Sequence, residues 1–131
     1  MVAVRNLRQT VTIAAPPAAV YRALVDPKEH AAFTGDRATF EAKPGGRFAH
    51  YGDSLVGRVL ALEKDRRIVL AWRETGWPES HYSIAQFTLA KKGKGTTLVF
   101  EQFGIPSKQF ADIREGWTDF YWTPLKAYLE A

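Results

Sequence analysis

The sequence of 131 residues contains no cysteine. This absence excludes disulfide bridges, thiolate nucleophiles and zinc sites built from cysteine, and it fits a reducing compartment. No apolar run approaches the roughly 20 residues that a membrane-spanning helix needs. Residues 1–15 alternate apolar and polar side chains, whereas a signal peptide has a continuous apolar stretch. We therefore expect a cytoplasmic protein without a membrane span.

Histidine is scarce, and the sequence has only His30, His50 and His81. No two of them have metal-ligand spacing, and a catalytic zinc site typically needs three protein ligands. The sequence also lacks a nucleophile elbow, a phosphate-binding loop and a dinucleotide fingerprint. It therefore predicts no metal site, no cofactor and no catalytic residue. An alternative stays open, because His50 or His81 in an apolar pocket could act as a general base.

The net charge of +4 raises nucleic acid as a possible partner. The basic residues are scattered, however, and residues 91–95 (Lys-Lys-Gly-Lys-Gly) form their only cluster. The glycine spacing there is typical of a tight hairpin tip. Neither an aromatic stacking platform nor a basic helix accompanies the charge, so we expect no nucleic-acid binding.

The length and the absence of repeats predict a single domain over residues 1–131. Residues 7–13 alternate as a strand does, and a helix should begin near Pro16 and Pro17. Asp26, Pro27 and Glu29 form a capping-box pattern that predicts a second helix ending near Phe33. Six further strands are predicted over residues 38–42, 47–51, 55–63, 67–74, 81–91 and 96–103. Short turns between them indicate an antiparallel meander.

After Pro106 the apolar residues recur at intervals of three and four, which predicts a long C-terminal helix. Pro124 should kink this helix, because proline has no N–H to donate. The order of strand, two helices, six strands and one long helix indicates an α+β domain. A second apolar stripe is a candidate surface for self-association or a partner; it consists of Trp122, Leu125 and Leu129.

Alternation along the strands places a set of side chains on one face of the sheet, towards the last helix. The strands contribute the apolar Phe48, Trp72, Phe87 and Phe100 and the polar His50, Ser83 and Gln102, and the last helix adds the apolar Trp117 and the polar Tyr121 from the side that faces the sheet. An apolar cavity with a few convergent polar groups is the usual composition of a small-molecule site. The alternative is that the aromatic rings fill the core and that the polar groups are satisfied internally.

The loop between the fourth and fifth of those strands contains Trp77 and Pro78. A tryptophan in a loop either packs on the domain itself or meets a partner, since exposing it is costly. Both residues are therefore candidates for an interface. The alternative is that Trp77 packs on the domain's own surface and Pro78 stiffens the loop.

The order and spacing of several segments resemble the C-terminal domain of activators of the 90 kDa heat-shock protein's ATPase, within the START-like or SRPBCC superfamily. These segments are Trp77-Pro78-Glu79-Ser80-His81-Tyr82, Gly104-Ile105-Pro106, Gly116-Trp117 and Tyr121-Trp122-Thr123-Pro124-Leu125-Lys126. The resemblance covers nearly the whole chain. It implies a helix-grip fold, in which a curved antiparallel sheet of six to seven strands wraps around a long C-terminal helix, with two short helices after the first strand.

The resemblance and the inward-facing residues together favour a non-enzymatic domain that binds a small apolar or amphipathic ligand between sheet and helix. The alternative is a co-chaperone-like module that binds the 90 kDa heat-shock ATPase. A second alternative is a cyclase- or hydrolase-type enzyme acting in the same cavity, as in some members of the superfamily. The sequence leaves open whether the protein is a monomer or a homodimer.

Overall fold

A computed structural model describes residues 2–131 and contains one seven-stranded antiparallel sheet. The spatial order is β1-β7-β6-β5-β4-β3-β2, so the chain's first strand is an edge strand that pairs with its last strand. The strands are β1 (Val4–Ile13), β2 (Ala38–Phe40), β3 (Arg47–His50), β4 (Leu55–Glu63), β5 (Arg67–Glu74), β6 (Ser83–Lys92) and β7 (Gly95–Pro106). The predicted meander is confirmed, although β6 begins at Ser83 and leaves His81 in the preceding loop.

Two short helices, α1 (Pro17–Val25) and α2 (Pro27–Thr34), connect β1 to β2. The side chain of Asp26 caps α2 by accepting from the Lys28 N–H at 2.8 Å, as the sequence predicts. The second half of the capping box is not formed, because the Asp26 N–H donates to the carbonyl of Arg22. Glu29 instead accepts from the Arg22 side chain at 2.7 Å.

The C-terminal helical stretch follows a short 3-10 turn at Ser107–Gln109 and has three consecutive parts. They are α3 (Phe110–Trp117), a π-helical segment (Thr118–Trp122) and α4 (Thr123–Leu129). The N–H of Thr123 donates to the carbonyl of Thr118, five residues earlier. The sequence predicts a kink at Pro124, and the structure has a π-helical turn immediately before the proline. Such turns are a known way for a helix to accommodate a missing backbone hydrogen bond.

A register shift interrupts the alternation of side chains along β4. Val59 pairs with Leu70 and Ala61 pairs with Val69, which leaves Leu60 as the additional residue of a bulge. The side chain of Val59 is buried, whereas Leu60 is 46% exposed on the outer face.

The inner face of the sheet packs against the C-terminal helical stretch, and the alternation predicted for β5, β6 and β7 is confirmed. Buried inner-face residues of these strands are Ile68, Leu70, Trp72, Ser83, Ala85, Phe87, Leu89, Leu98, Phe100 and Gln102. The predicted helix-grip architecture is therefore confirmed. In residues 2–131, no helix combines the length and apolar character needed to cross a membrane.

Candidate functional site

An open cleft of about 340 Å³ lies between the end of the sheet and the C-terminal helical stretch. Strands β4 and β5 and the turn before them form one side, and α3 with the π-helical segment forms the other. The lining residues are Tyr51, Ser54, Leu55, Trp72, Glu74, Asp112, Ile113, Gly116, Trp117, Phe120 and Tyr121.

Aromatic rings form much of the wall of the cleft. The ring centroids of Trp72 and Trp117 lie 5.5 Å apart, and those of Trp117 and Tyr121 lie 4.6 Å apart. Tyr51 stands edge-on to Phe120 at 5.8 Å near the rim. Phe120 is 58% exposed, so one of these rings is open to solvent. The cleft therefore offers flat apolar surfaces to a ligand.

Two carboxylates, Glu74 and Asp112, are the charged groups of the cleft. Partial burial raises the pKa of the Glu74 carboxyl, and the negative charge of Asp112 raises it further. Within residues 2–131, neither carboxylate forms an ion pair or a side-chain hydrogen bond. The cleft therefore combines an apolar wall with unneutralised negative charge.

Of the residues that the sequence predicts for a pocket, Trp72, Trp117 and Tyr121 line this cleft. Sequence reasoning did not include Tyr51, Ser54, Leu55, Glu74, Asp112, Ile113, Gly116 and Phe120. A signal for Glu74 was available, because it follows Trp72 by two residues on the same strand and so shares its face.

Ser83 and Gln102 lie behind the cleft in a closed hydrogen-bond chain. The Trp117 indole donates to the Gln102 side-chain oxygen at 2.8 Å, and the Gln102 amide donates to the Ser83 hydroxyl at 2.9 Å. The Ser83 hydroxyl then donates to the carbonyl of Trp72 at 2.8 Å. All three side chains are buried, and their hydrogen bonds hold α3 against three strands.

His50 and Phe87 line a second, much smaller cavity of about 10 Å³. This volume is close to the lower limit for one water molecule. Phe48 packs beside His50 with centroids 4.9 Å apart, and Phe100 packs on Trp117 at 4.3 Å. The deep part of the predicted pocket is thus filled mainly by side chains.

A buried triad of His30, Tyr121 and His50 borders this small cavity. The Tyr121 hydroxyl lies 3.1 Å from His30 Nε2 and 3.1 Å from His50 Nδ1, and the two imidazoles stack with centroids 3.7 Å apart. Burial lowers the pKa of His30 to about 4. Burial and the neighbouring His30 hold the pKa of His50 well below its usual value. Sequence reasoning missed His30, because it lies on a short helix whose sequence pattern does not indicate that this side chain is buried.

The geometry of this triad leaves ring nitrogens without partners. The single hydroxyl proton of Tyr121 can go to only one histidine, so the other histidine must donate to the hydroxyl oxygen. His30 Nδ1 and His50 Nε2 are both buried without a hydrogen bond. With both rings neutral, either choice of tautomers leaves one buried donor and one buried acceptor unpaired.

The loop tryptophan Trp77 is buried. Its ring packs edge-on against Trp72 at 5.4 Å and against His81 at 5.8 Å. Arg73 donates to the Trp77 carbonyl at 2.9 Å, and Pro78 is exposed. The indole therefore stabilises the end of the sheet and leaves Pro78 as the exposed member of the pair.

The second apolar stripe of the C-terminal helical stretch is largely covered by the domain itself. Trp122 is buried and donates its indole N–H to the Gln9 side chain of β1 at 2.8 Å. Leu125 is fully buried, and Leu129 is half-buried against the core. These three residues contribute packing, and little of their surface is free for a second chain.

This architecture, in which a curved antiparallel sheet grips a C-terminal helical stretch beside an open cleft, defines the chain as a START-like protein of the helix-grip type. It superimposes on the crystal structure of an HSP90 activator from Plasmodium falciparum with a TM-score of 0.90 at 23% identity, over 98% of this chain and 97% of that one. A protein from Chromobacterium violaceum gives a TM-score of 0.79 at 28% identity, over 96% and 97% of the two chains.

The family described as "Activator of Hsp90 ATPase homolog 1-like protein" matches residues 14–130, and the chain belongs to this family. It is 32% identical over 115 residues to human activator of 90 kDa heat shock protein ATPase homolog 1, covering 88% of this chain and 34% of that protein. A Dictyostelium discoideum homolog of the same activator is 35% identical over 102 residues, covering 77% and 27%. The chain thus spans about a third or less of the length of these two curated relatives.

Proposed function

We propose that the chain binds a small amphipathic ligand in the cleft between the sheet and α3. The observation that carries this proposal is the open volume of about 340 Å³, which lies within the usual range of small-molecule sites. The aromatic walls supply apolar contact area, and Tyr51, Ser54 and Glu74 supply a small number of polar groups. This combination suits a ligand with an apolar body and a polar end.

The ligand site lies further out than the sequence predicts. Ser83 and Gln102 bond to each other and to their neighbours, and the small cavity beside His50 has room for about one water molecule. A ligand therefore contacts the outer surfaces of Trp72, Trp117 and Tyr121, with the core behind them left intact.

Gly116 allows a sharp test of this site. It lines the cleft, and a Cβ added there would meet nothing closer than Phe120 Cδ2 at 3.7 Å. Gly116→Leu should fill the cleft without disturbing the core, and Gly116→Ala is the matched control that leaves most of the volume open. Native mass spectrometry of each protein, purified gently from its own host, should show an added mass on wild type and Gly116→Ala that Gly116→Leu has lost.

An added mass that is unchanged in Gly116→Leu would place the ligand elsewhere and reject the cleft. The same spectra report whether the protein is a monomer or a homodimer, because the intact assembly mass is measured directly.

A second candidate is a co-chaperone-like role in the cytoplasm, in which the chain binds the 90 kDa heat-shock ATPase. The observation that favours it is the similarity to relatives named as activators of that ATPase, at 32% and 35% identity. Sedimentation of the chain with the purified ATPase of the same organism, together with its ATP hydrolysis rate, tests this role. Gly116→Leu should bind the ATPase as wild type does if the cleft and the partner surface are separate.

A further inference from the structure

We propose that the cleft selects an organic ammonium cation with an apolar body, and that its charged head binds between Glu74 and Asp112. This inference rests on the proposed ligand-binding function and names the chemical class of the ligand. It follows from three features of the cleft, which are the sign of its charges, their lack of partners and its aromatic walls.

The sign of the charge in the cleft is opposite to that of the chain. The sequence has 18 lysines and arginines against 14 aspartates and glutamates, giving a net charge of +4. Yet the cleft is lined by two carboxylates and by no lysine, arginine or histidine. An anionic ligand would meet only repulsion from these groups, and a cation would meet attraction from both.

The two carboxylates also lack the arginine partners that neutralise other acidic residues of this protein. Glu29, Glu63 and Glu101 each lie within 4.0 Å of an arginine. Within residues 2–131, no basic side chain comes that close to Glu74 or Asp112. The negative charge of the cleft is therefore available to a ligand.

The two carboxylates act on each other. Partial burial disfavours the ionised form of Glu74, and the charge of Asp112 adds to this effect. A cation placed between the two carboxylates relieves their mutual repulsion, so binding should lower the pKa of Glu74.

The aromatic walls suit the same ligand class. The faces of tryptophan and tyrosine attract ammonium groups through the ring quadrupole, and aromatic cages are a common way of binding organic cations. Tyr51 and the exposed Phe120 present aromatic surface at the rim of the cleft. Behind them Trp72 packs on Trp117 with centroids 5.5 Å apart, and Tyr51 packs on Tyr121 at 5.9 Å, so these rings form a continuous aromatic wall. A bare metal ion fits less well, because no group of three or more metal-ligating side chains occurs in residues 2–131.

Three probes with the same apolar body separate charge from apolar contact. They are 3-phenylpropylamine, which is a cation at pH 7.5, neutral 3-phenylpropan-1-ol and anionic 4-phenylbutanoate, each with a phenyl ring and three methylenes before the head group. Isothermal titration calorimetry at low salt should rank them in that order, with the amine at least about tenfold tighter than the alcohol. Indole N–H resonances of Trp72 and Trp117 should shift on binding and so place the probe in the cleft.

The variants Glu74→Gln and Asp112→Asn remove one charge each while keeping the shape of the side chain. Each should weaken amine binding about five- to tenfold and leave alcohol binding within about twofold of wild type. Glu115→Gln is the matched control, because it removes one charge from an exposed residue of the same helix outside the cleft. It should leave the binding of all three probes unchanged.

An NMR titration of the side-chain carboxyl carbons measures the pKa of Glu74 directly. If Glu74 only supported the fold, its pKa would not change when the amine binds. The pKa of Glu74 should fall when the amine is bound and should stay in place with the alcohol. Equal binding of the three probes, or tighter binding of the anion, would overturn this inference while leaving a ligand site in the cleft. Failure of all three probes to bind at millimolar concentration, with no added mass on the native protein, would overturn both proposals.

Discussion

The Tyr51 hydroxyl donates a hydrogen bond to the backbone carbonyl of Phe120 at 2.5 Å. In an α-helix this carbonyl would accept from the N–H four residues later, but that residue is Pro124, which has none. A side chain from the turn after β3 thus bonds to the carbonyl that the proline leaves without its usual donor. Tyr51 holds a left-handed backbone conformation there, with φ at 52°, and burial raises the pKa of its hydroxyl to about 12.

Replacing Tyr51 should show how much its hydrogen bond stabilises the Phe120 carbonyl that Pro124 leaves without a donor. Tyr51→Phe keeps the ring that packs against Phe120 and removes only the hydroxyl. We expect the free energy of unfolding to fall by about 1 kcal/mol, the usual net contribution of one hydrogen bond. Urea unfolding followed by circular dichroism measures this change.

The double variant decides whether the two residues are coupled. Pro124→Ala restores an N–H that can reach the Phe120 carbonyl, so it should recover part of the stability lost in Tyr51→Phe. We expect a coupling energy of about 1 kcal/mol in the double-mutant cycle. Strictly additive effects of the two substitutions would show that Tyr51 does not replace the missing helical donor.

The buried histidines should make the fold sensitive to acid. The pKa of His30 falls from 6.5 to about 4 in the folded state because of burial, so the unfolded chain binds its proton first as the pH falls. Stability is therefore lost between pH 6.5 and about pH 4, and His30 alone should remove about 2 kcal/mol between pH 7 and pH 5. His50, whose pKa is lowered further, acts in the same direction.

The pH profile of the wild type combines the effects of several groups, so variants are needed to assign the loss of stability to His30. Glu74 works in the opposite direction, because its raised pKa lets the folded state bind a proton first. His30→Phe should flatten the dependence of unfolding free energy on pH in this window, whatever its effect on stability at pH 7. A slope that is the same in wild type and His30→Phe would contradict a titrating His30.

Two glycines should respond in opposite ways to the same substitution. Gly116→Ala should stabilise the fold by up to about 1 kcal/mol, since it lies in a helix where an added Cβ would make only an ordinary contact with Phe120 Cδ2 at 3.7 Å. Gly57→Ala should destabilise it strongly, because the new Cβ would lie 1.8 Å from the Ala71 carbonyl oxygen of β5. Thermal unfolding of both variants measures the contrast, and a stable Gly57→Ala would mean that β4 and β5 can separate at low cost.

The sequence predicts this fold well because its signals are local and consistent. Alternation places Trp72, Phe87 and Phe100 on one face, and the turn residues connect the strands in a meander. The exceptions are details that local signals do not specify, even where Pro124 predicts a kink. The bulge at Leu60 depends on pairing with β5, and the π-helical segment before Pro124 depends on what packs around it.

The site is harder to predict, because a face of a strand does not reveal whether a side chain borders a cavity or fills it. Gln102 and Trp72 both point inward, yet Gln102 is enclosed by hydrogen bonds and Trp72 reaches the cleft. The distinction depends on how α3 lies across the sheet. Asp112 could not be predicted for the same reason, because its position opposite Glu74 depends on how α3 packs across the sheet.

The chain from Trp117 through Gln102 to Ser83 leads to a final prediction about the core. Gln102→Leu removes the acceptor of the Trp117 indole and the donor to Ser83, so it should cost about 2–3 kcal/mol of unfolding free energy. Trp117→Phe in the same background removes the stranded indole N–H. If the lost hydrogen bond causes the damage, Trp117→Phe should therefore cost less in Gln102→Leu than in wild type. An equal cost in both backgrounds would show that Gln102 acts through its packing alone.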